Sequence, residues 1–409
     1  MIRTSVLVAA LTCLINVTMV AQEAKPPETK PEAAKPQEAK PPEAQPPETK
    51  SFRIGMIGLD TTHVTAFTKI INEREKDFGC KVVVGYPGGS PDIKDSAGRV
   101  QQFTNEMKDL YGVEIVGSID DLCKKVDGVM LESVDGRPHL DQVKPVIAAK
   151  KPLFIDKPMA GSLAHVLEIF RLAKENSVPC WSSSSLRFSP RVIGMRNSDA
   201  IGDVLGCDAF SPCSLEPHHP DLYWYGIHGV EILFTIMGTG CESVQRVQTE
   251  GYEYVVGIWK GGRIGTFRGL RAGKLDYGAM VYGTKGIARA GNNEGYDPLI
   301  QEVVKFFKTG QPPVPAEETI EIFAFMSAAD ESKAQNGARV TLASVLEKAQ
   351  KGAPAPAAPA AKPAPAPAAP APATPAPATP AHAPAAPAPA TPTPAPVAPS
   401  PATPAPAPK

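Results

Sequence analysis

What this chain lacks narrows its role before any motif is read. Lysine and arginine together number 42 against 43 aspartates and glutamates, a formal net charge of −1. With no basic excess, neither nucleic acid nor an anionic membrane surface is an expected partner, and a small ligand fits better. The seven cysteines contain no Cys-x-x-Cys pair, which removes the familiar zinc and dithiol redox patterns. The N-terminal apolar stretch is interrupted by Thr12, Asn16 and Thr18 and falls short of the ~20 apolar residues of a membrane-spanning helix. No integral span is expected in the mature protein.

Proline is abundant, with 45 residues gathered mainly at the two ends. Residues 1–21 read as a secretory signal, with Arg3, an apolar Ser5–Val20 stretch and a small-residue cleavage site at Met19-Val20-Ala21. An uncleaved amphiphilic anchor is the alternative. Export, periplasmic or extracellular, is the expectation, and disulfides are then permitted. Cys13 leaves with the signal; most of the remaining six read as buried thiols, and Cys207 and Cys213 are the pair best placed for a disulfide. Residues 22–51 repeat Lys-Pro-Pro-Glu-like units, and 353–409 is almost entirely Ala, Pro and Thr. Neither segment buries enough apolar area to offset its ordering entropy, so both read as disordered and polyproline-like. At about 3.1 Å per residue the tail reaches on the order of 170 Å. It suits a spacer, a cell-envelope contact or a plain solvated tail.

The foldable part alternates between strand and helix. Apolar strands are expected at 52–58, 81–86, 114–116, 128–132 and 153–155, with helices at 64–76, 97–111 and 140–149. That alternation predicts a doubly wound, Rossmann-like parallel sheet over 52–181. A second α+β domain is expected over 182–345. Antiparallel strands at 243–250, 252–260, 263–270, 280–282 and 286–290 precede and accompany amphipathic helices at 297–308 and 317–336, and 336–342 closes the fold.

In doubly wound sheets ligands collect beyond the carboxyl ends of the strands. Asp156-Lys157-Pro158 ends the fifth strand there, which makes Lys157 a candidate site residue. A solvated charge is the plainer reading. Lys157 and its neighbours also resemble the Glu-Lys-Pro signature of the glucose-fructose oxidoreductase, inositol dehydrogenase and rhizopine-catabolism (Gfo/Idh/MocA) family. Pro138-His139, Leu186-Arg187-Phe188-Ser189-Pro190 and Tyr282-Gly283-Thr284-Lys285-Gly286 extend that resemblance across nearly all of the globular part. It implies a Rossmann domain followed by an open, mainly antiparallel sheet that carries substrate and often a homo-oligomer interface.

The resemblance also implies NAD or NADP on a Gly-x-Gly-x-x-Gly turn. Here Gly58 supplies the first glycine, but Asp60 stands at the second and His63 at the third. A carboxylate ~4 Å from a phosphate charge costs roughly 4 kcal/mol at an effective dielectric of 20. Asp60 reads either as a helix N-cap, leaving the hydroxyls of Thr61 and Thr62 to a ligand, or as part of a repurposed site in which Asp60 and His63 meet a sugar or metal. Gly58, Asp60, Thr61, Thr62, His63, Asp156 and Lys157 are the cofactor-binding candidates. No acid ends the second strand to grip a ribose hydroxyl; Asp92 is the nearest.

Family members carry Asp-x-Gly-x-His in the second domain. This chain has Trp224-Tyr225-Gly226-Ile227-His228, with Glu231 one helical turn on, so Gly226, His228 and Glu231 match and the aspartate does not. The resemblance makes Lys157 and His228 the catalytic candidates, His228 taking a hydroxyl proton because imidazole titrates near neutrality. Glu231 is placed to orient it. Arg187, Tyr223, Trp224, Tyr225 and His228 are the substrate-binding candidates, since sugar faces stack on aromatic rings. His218 and His219 invite a metal reading, but adjacent residues seldom meet one centre, and no metal ligand is assigned. Two functions follow: an NAD(P)-dependent oxidoreductase acting on the CH–OH of a sugar or cyclitol, or a carbohydrate-binding or -processing protein on the same fold without a nucleotide.

Overall fold

A computed structural model describes residues 50–352 except 197. The expected signal, the linker up to residue 49 and the tail from 353 lie outside the described residues. Among the described residues no helix is long and apolar enough to cross a membrane.

The first half runs β1 (Phe52–Ile57), α1 (Thr62–Glu73), the single turn α2 (Glu75–Phe78), β2 (Cys80–Tyr86), α3 (Lys94–Tyr111), β3 (Glu114–Ile115), α4 (Ile119–Lys125), β4 (Gly128–Leu131), α5 (His139–Ala148), β5 (Leu153–Asp156), α6 (Leu163–Glu175) and β6 (Cys180–Ser183). The strands form one six-stranded sheet in the order β3-β2-β1-β4-β5-β6, parallel at every pairing. β4 and β5 are buried along their whole length, as expected of central parallel strands covered on both faces. Thr61, Ser118 and Ser162 cap α1, α4 and α6 by accepting bonds from backbone N–H groups, satisfying donors that the first turn leaves free. Gly112 stops α3 in the left-handed region at φ 65°.

Five of these strands are legible in the sequence. β6 makes a sixth, hydrogen-bonded along β5 from Leu153↔Cys180 to Asp156↔Ser183. Its Cys-Trp-Ser-Ser sequence lacks an apolar run, but all four residues are buried.

Beyond β6 come a 3-10 turn (Ser185–Phe188), α7 (Pro190–Ile193), β7 (Val204–Pro212), a π-helical turn (Leu222–Gly226), α8 (Ile227–Met237), β8 (Cys241–Gln248), β9 (Tyr252–Trp259), β10 (Ile264–Leu270), β11 (Gly278–Gly283), β12 (Ile287–Ala290), α9 (Asp297–Thr309), α10 (Ala316–Ala334), β13 (Val340–Thr341) and α11 (Leu342–Gly352). Seven strands pair in the order β12-β11-β7-β10-β9-β8-β13, antiparallel except β7 with β10. β7 was absent from the sequence reading, although Cys207, Ala209, Ser211 and Cys213 alternate into the core. α8 is buried at every residue and packs on β7 and β10. The chain does not close at Leu342 either: α11 continues to Gly352 and buries Leu342 and Val345.

α9 returns to the first sheet. Phe307 stacks on Phe52 with ring centroids 5.3 Å apart, and Leu299, Val303 and Phe306 share a core with β1, β2 and α1. The first sheet's covering layer is therefore completed by residues more than a hundred positions downstream.

The cysteines are buried thiols, as the sequence suggests, and Cys207 and Cys213 form no disulfide. All six described cysteines are free and buried. Six steps along an extended strand separate Cα atoms by about 20 Å, well beyond the 4.4–6.8 Å a disulfide spans. Burial pushes the Cys213 thiol up to about 12, so neither metal binding nor nucleophilic chemistry is favoured there.

Candidate active-site cleft between the two sheets

A cleft of about 460 Å³ opens beyond the carboxyl ends of β1 and β5, facing the start of α8. Thr61, Thr62, His63 and Lys157 line it from turns and the helix start beyond the first sheet, Trp224, Tyr225 and His228 from the π-helical turn and α8. The cleft also takes Asp95 and Arg99 from α3, and Tyr277 and Tyr296.

The turn after β1 differs from the sequence reading. Gly58 has φ 85°, and a Cβ there would lie 2.2 Å from Ser133 Oγ and 2.4 Å from its backbone. Its lack of a side chain thus allows β1 to pass the turn after β4. Asp60 is fully buried and is not the N-cap of α1; that role belongs to Thr61, whose Oγ1 accepts from His63 N at 3.4 Å. Asp60 Oδ2 accepts from Ser96 Oγ at 2.6 Å and Oδ1 from Val134 N at 3.0 Å. It ties α3 and the loop after β4 to the turn, and it does not line the cleft. Burial pushes its carboxyl above the ordinary range, with the Ser96 bond opposing.

Asp156 is also withdrawn. It is 2% exposed and its Oδ2 lies 2.7 Å from His63 Nδ1. The His63 ring packs on Phe67 and Tyr296, each with centroids 4.9 Å away. Tyr296 directly precedes α9, so the downstream helix wedges His63 in place. The Lys157–Pro158 bond is cis.

In the second half, His228 Nδ1 lies 2.7 Å from Ser184 Oγ, and Tyr225 meets its ring edge-on at 4.9 Å. Burial first, then Lys157 and His63, hold His228 well below the usual histidine value. Glu231 does not orient this ring. Its Oε2 accepts from Arg187 Nε at 2.7 Å, and Arg187 Nη1 donates to Glu318 Oε1 at 2.6 Å. Arg187, expected to touch substrate, is only 6% exposed and clamps α8 to α10. Tyr223, likewise expected at substrate, is 1% exposed and its hydroxyl lies 2.7 Å from Ser327 Oγ. The π-helical turn through 222–226 sends Tyr223 inward and leaves Trp224 and Tyr225 half-buried at the cleft.

His218 and His219 diverge: His218 Nδ1 lies 2.5 Å from Glu216 Oε1, and His219 Nε2 lies 3.1 Å from Asp135 Oδ1. Asp92 is engaged by both terminal nitrogens of Arg137 at 2.8 Å. Sequence reasoning missed Ser184, hidden within a run of four serines, and Tyr277 and Tyr296, which only the fold brings here. It also passed over Glu132, whose signal was an acid ending an apolar strand.

Residues 52–184 match the family model described as the oxidoreductase family with an NAD-binding Rossmann fold. The N-terminal domain is a Gfo/Idh/MocA domain. Solved structures share the fold beyond these residues. A probable dehydrogenase from Thermotoga maritima has 22% identity and TM-score 0.60, covering 72% of this chain and 100% of its own. Scyllo-inositol dehydrogenase from Lactobacillus casei, solved with NAD(H) and scyllo-inositol, has 16% identity and TM-score 0.61, covering 72% and 100%. An Agrobacterium radiobacter oxidoreductase solved with NAD+, L-tartaric acid and magnesium has 15% identity and TM-score 0.58, covering 72% and 99%. At these identities the shared property is the two-part fold. No curated protein matches the chain by sequence.

Proposed function

We propose that this protein is an NAD- or NADP-dependent oxidoreductase acting on a CH–OH group of a sugar or cyclitol. The observation that carries the reading is that Lys157, just after β5, and His228, in the first turn of α8 and more than seventy residues on, line one cleft. The family match over 52–184 supports the cofactor class. The inositol bound by the Lactobacillus casei enzyme supports the substrate class.

The cleft suits a dinucleotide better than the sequence alone suggests. The carboxylate that would repel a phosphate, Asp60, is buried and turned away. Thr62 is exposed at the N-terminus of α1, where free N–H groups and the helix dipole favour an anion. Arg99 adds a guanidinium at the rim. Thr61, Thr62 and Arg99 would hold the phosphates, and Lys157 would lie near the reacting end. Bound nicotinamide supplies the hydride acceptor or donor.

The remaining steps belong to this chain's side chains. With its proton on Nδ1, donated to Ser184 Oγ, neutral His228 keeps Nε2 free to accept the proton of a substrate hydroxyl. The Lys157 ammonium stabilises the developing negative charge on that oxygen. Trp224 and Tyr225 offer ring faces to a sugar, and Ser184 fixes the imidazole.

A non-redox carbohydrate-binding reading is favoured by His63, whose imidazole fills the third-glycine position. Denaturing purified protein and assaying released NAD(H) or NADP(H) by absorbance and mass spectrometry separates the two. Bound nucleotide, or saturable binding of added nucleotide, supports the redox reading; absence of both refutes it. Lys157→Ala should then lower turnover of an accepted sugar or cyclitol at least a hundredfold. Export is part of the proposal and is supported by residues 1–21; cell fractionation tests it.

A further inference from the structure

We propose that His63, Glu132 and Asp156 form a binding site for one divalent first-row transition cation, zinc by donor type, at the base of the cleft. One ligand atom from each residue lies within 4.8 Å of the other two. The three come from the first turn of α1 and the carboxyl ends of β4 and β5, so the scaffold is rigid. One imidazole with two carboxylates is an ordinary donor set for such ions, and three protein ligands leave a position open for a water or ligand oxygen.

The independent sign of an occupant is Glu132. It is 0% exposed, and among the described residues neither of its carboxylate oxygens has a hydrogen-bond partner. Asp156 Oδ1 is equally unpartnered. Buried carboxylates without partners are costly, and each such orphan calls for a specific explanation. Lys157, the cation adjacent in sequence, is one positive charge against two carboxylates. A proton shared by Glu132 and Asp156 satisfies only one of their contacts, whereas a dication engages both carboxylates and the imidazole together. His63 is pre-oriented between Phe67 and Tyr296 and borders the cleft, which gives the ion its entry and its open position. The ion displaces the proton between His63 and Asp156, as deprotonation of ligands requires.

The test uses full-length protein stripped with chelator and does not depend on turnover. Zinc titration by calorimetry should give one site per chain, with a rise in melting temperature. Glu132→Gln removes a buried charge without changing shape, so it should fold and melt no lower than the stripped wild type, yet bind zinc at least tenfold more weakly. Asp156→Asn should weaken binding similarly. Absence of saturable zinc binding, or unchanged affinity in Glu132→Gln, overturns the site and leaves the shared proton as the occupant. A melting shift with magnesium equal to that with zinc overturns the transition-metal assignment.

Discussion

At His228, a solvent-exposed imidazole would be largely protonated below pH 6.5. Burial, helped by Lys157 and His63, holds this one neutral to well below that pH. Two consequences follow with definite sign. The acid limb of kcat/KM should fall well below pH 6.5 rather than near it. The folded state also binds fewer protons than the unfolded chain in that window, so His228 contributes stability above pH 6.5 that declines as pH drops toward its folded value. His228→Asn should lower kcat by 10²–10⁴, roughly the worth of a positioned acid–base group, and should flatten that part of the stability profile measured by urea unfolding. Asp60 shows the opposite lesson. Its sequence position threatened phosphate binding, whereas its side chain is spent on Ser96 and Val134. Asp60→Ala should cost about 1–3 kcal/mol through the orphaned partners and leave nucleotide affinity within about threefold; a large tightening measured by titration would return the carboxylate to the phosphate site.

The turn between β1 and α1 is an element whose conformation depends on one residue. Gly58 adopts φ 85° and touches Ser133 at distances no Cβ tolerates. Gly58→Ala therefore meets both a left-handed backbone penalty and a clash with a neighbouring main chain. It should lower the melting temperature by many degrees and disturb Thr61, Thr62 and Glu132 together; a near-neutral change would show the two turns to be loosely coupled. The π-helical turn at 222–226 acts similarly on a smaller scale. A regular helix there would change which of Tyr223, Trp224 and Tyr225 faces the cleft, and the sequence carries no period that distinguishes the two.

For the whole molecule, α8 and α10 cover one face of the second sheet. On the other face Ile264, Met280, Tyr282 and Ile287 are at least 37% exposed, and Tyr282 stands opposite Ile287 in register. We propose this surface as the homo-oligomer interface. Contiguous exposed apolar area of this kind commonly marks association. Wild type should exceed the monomer mass by light scattering, and Ile264→Glu should lower it to that mass while preserving the circular dichroism of the fold; a monomeric wild type or an unchanged mass overturns the interface.

Much of the architecture was legible in one dimension. The apolar strands at 52–57, 128–131 and 153–156, alternating with capped helices, dictate a parallel sheet, because periodicity and caps are local properties. Lys157 was legible as a strand-end residue and His228 through its glycine-spaced motif. β6 and β7 were not, since serines and cysteines become strand residues only when neighbouring strands supply their hydrogen bonds. Nor were Arg187 and Tyr223 readable as buried: their partners Glu318 and Ser327 lie more than a hundred residues away. Sequence alone determined the fold class and the two candidate side chains of the cleft, through local hydrophobic pattern and motif. Tertiary structure decided which polar groups face the cleft and which are consumed in the core. Glu132, Asp60 and His63 acquire their roles only from burial and from α9 folding back, and burial depends on atoms that no local window contains.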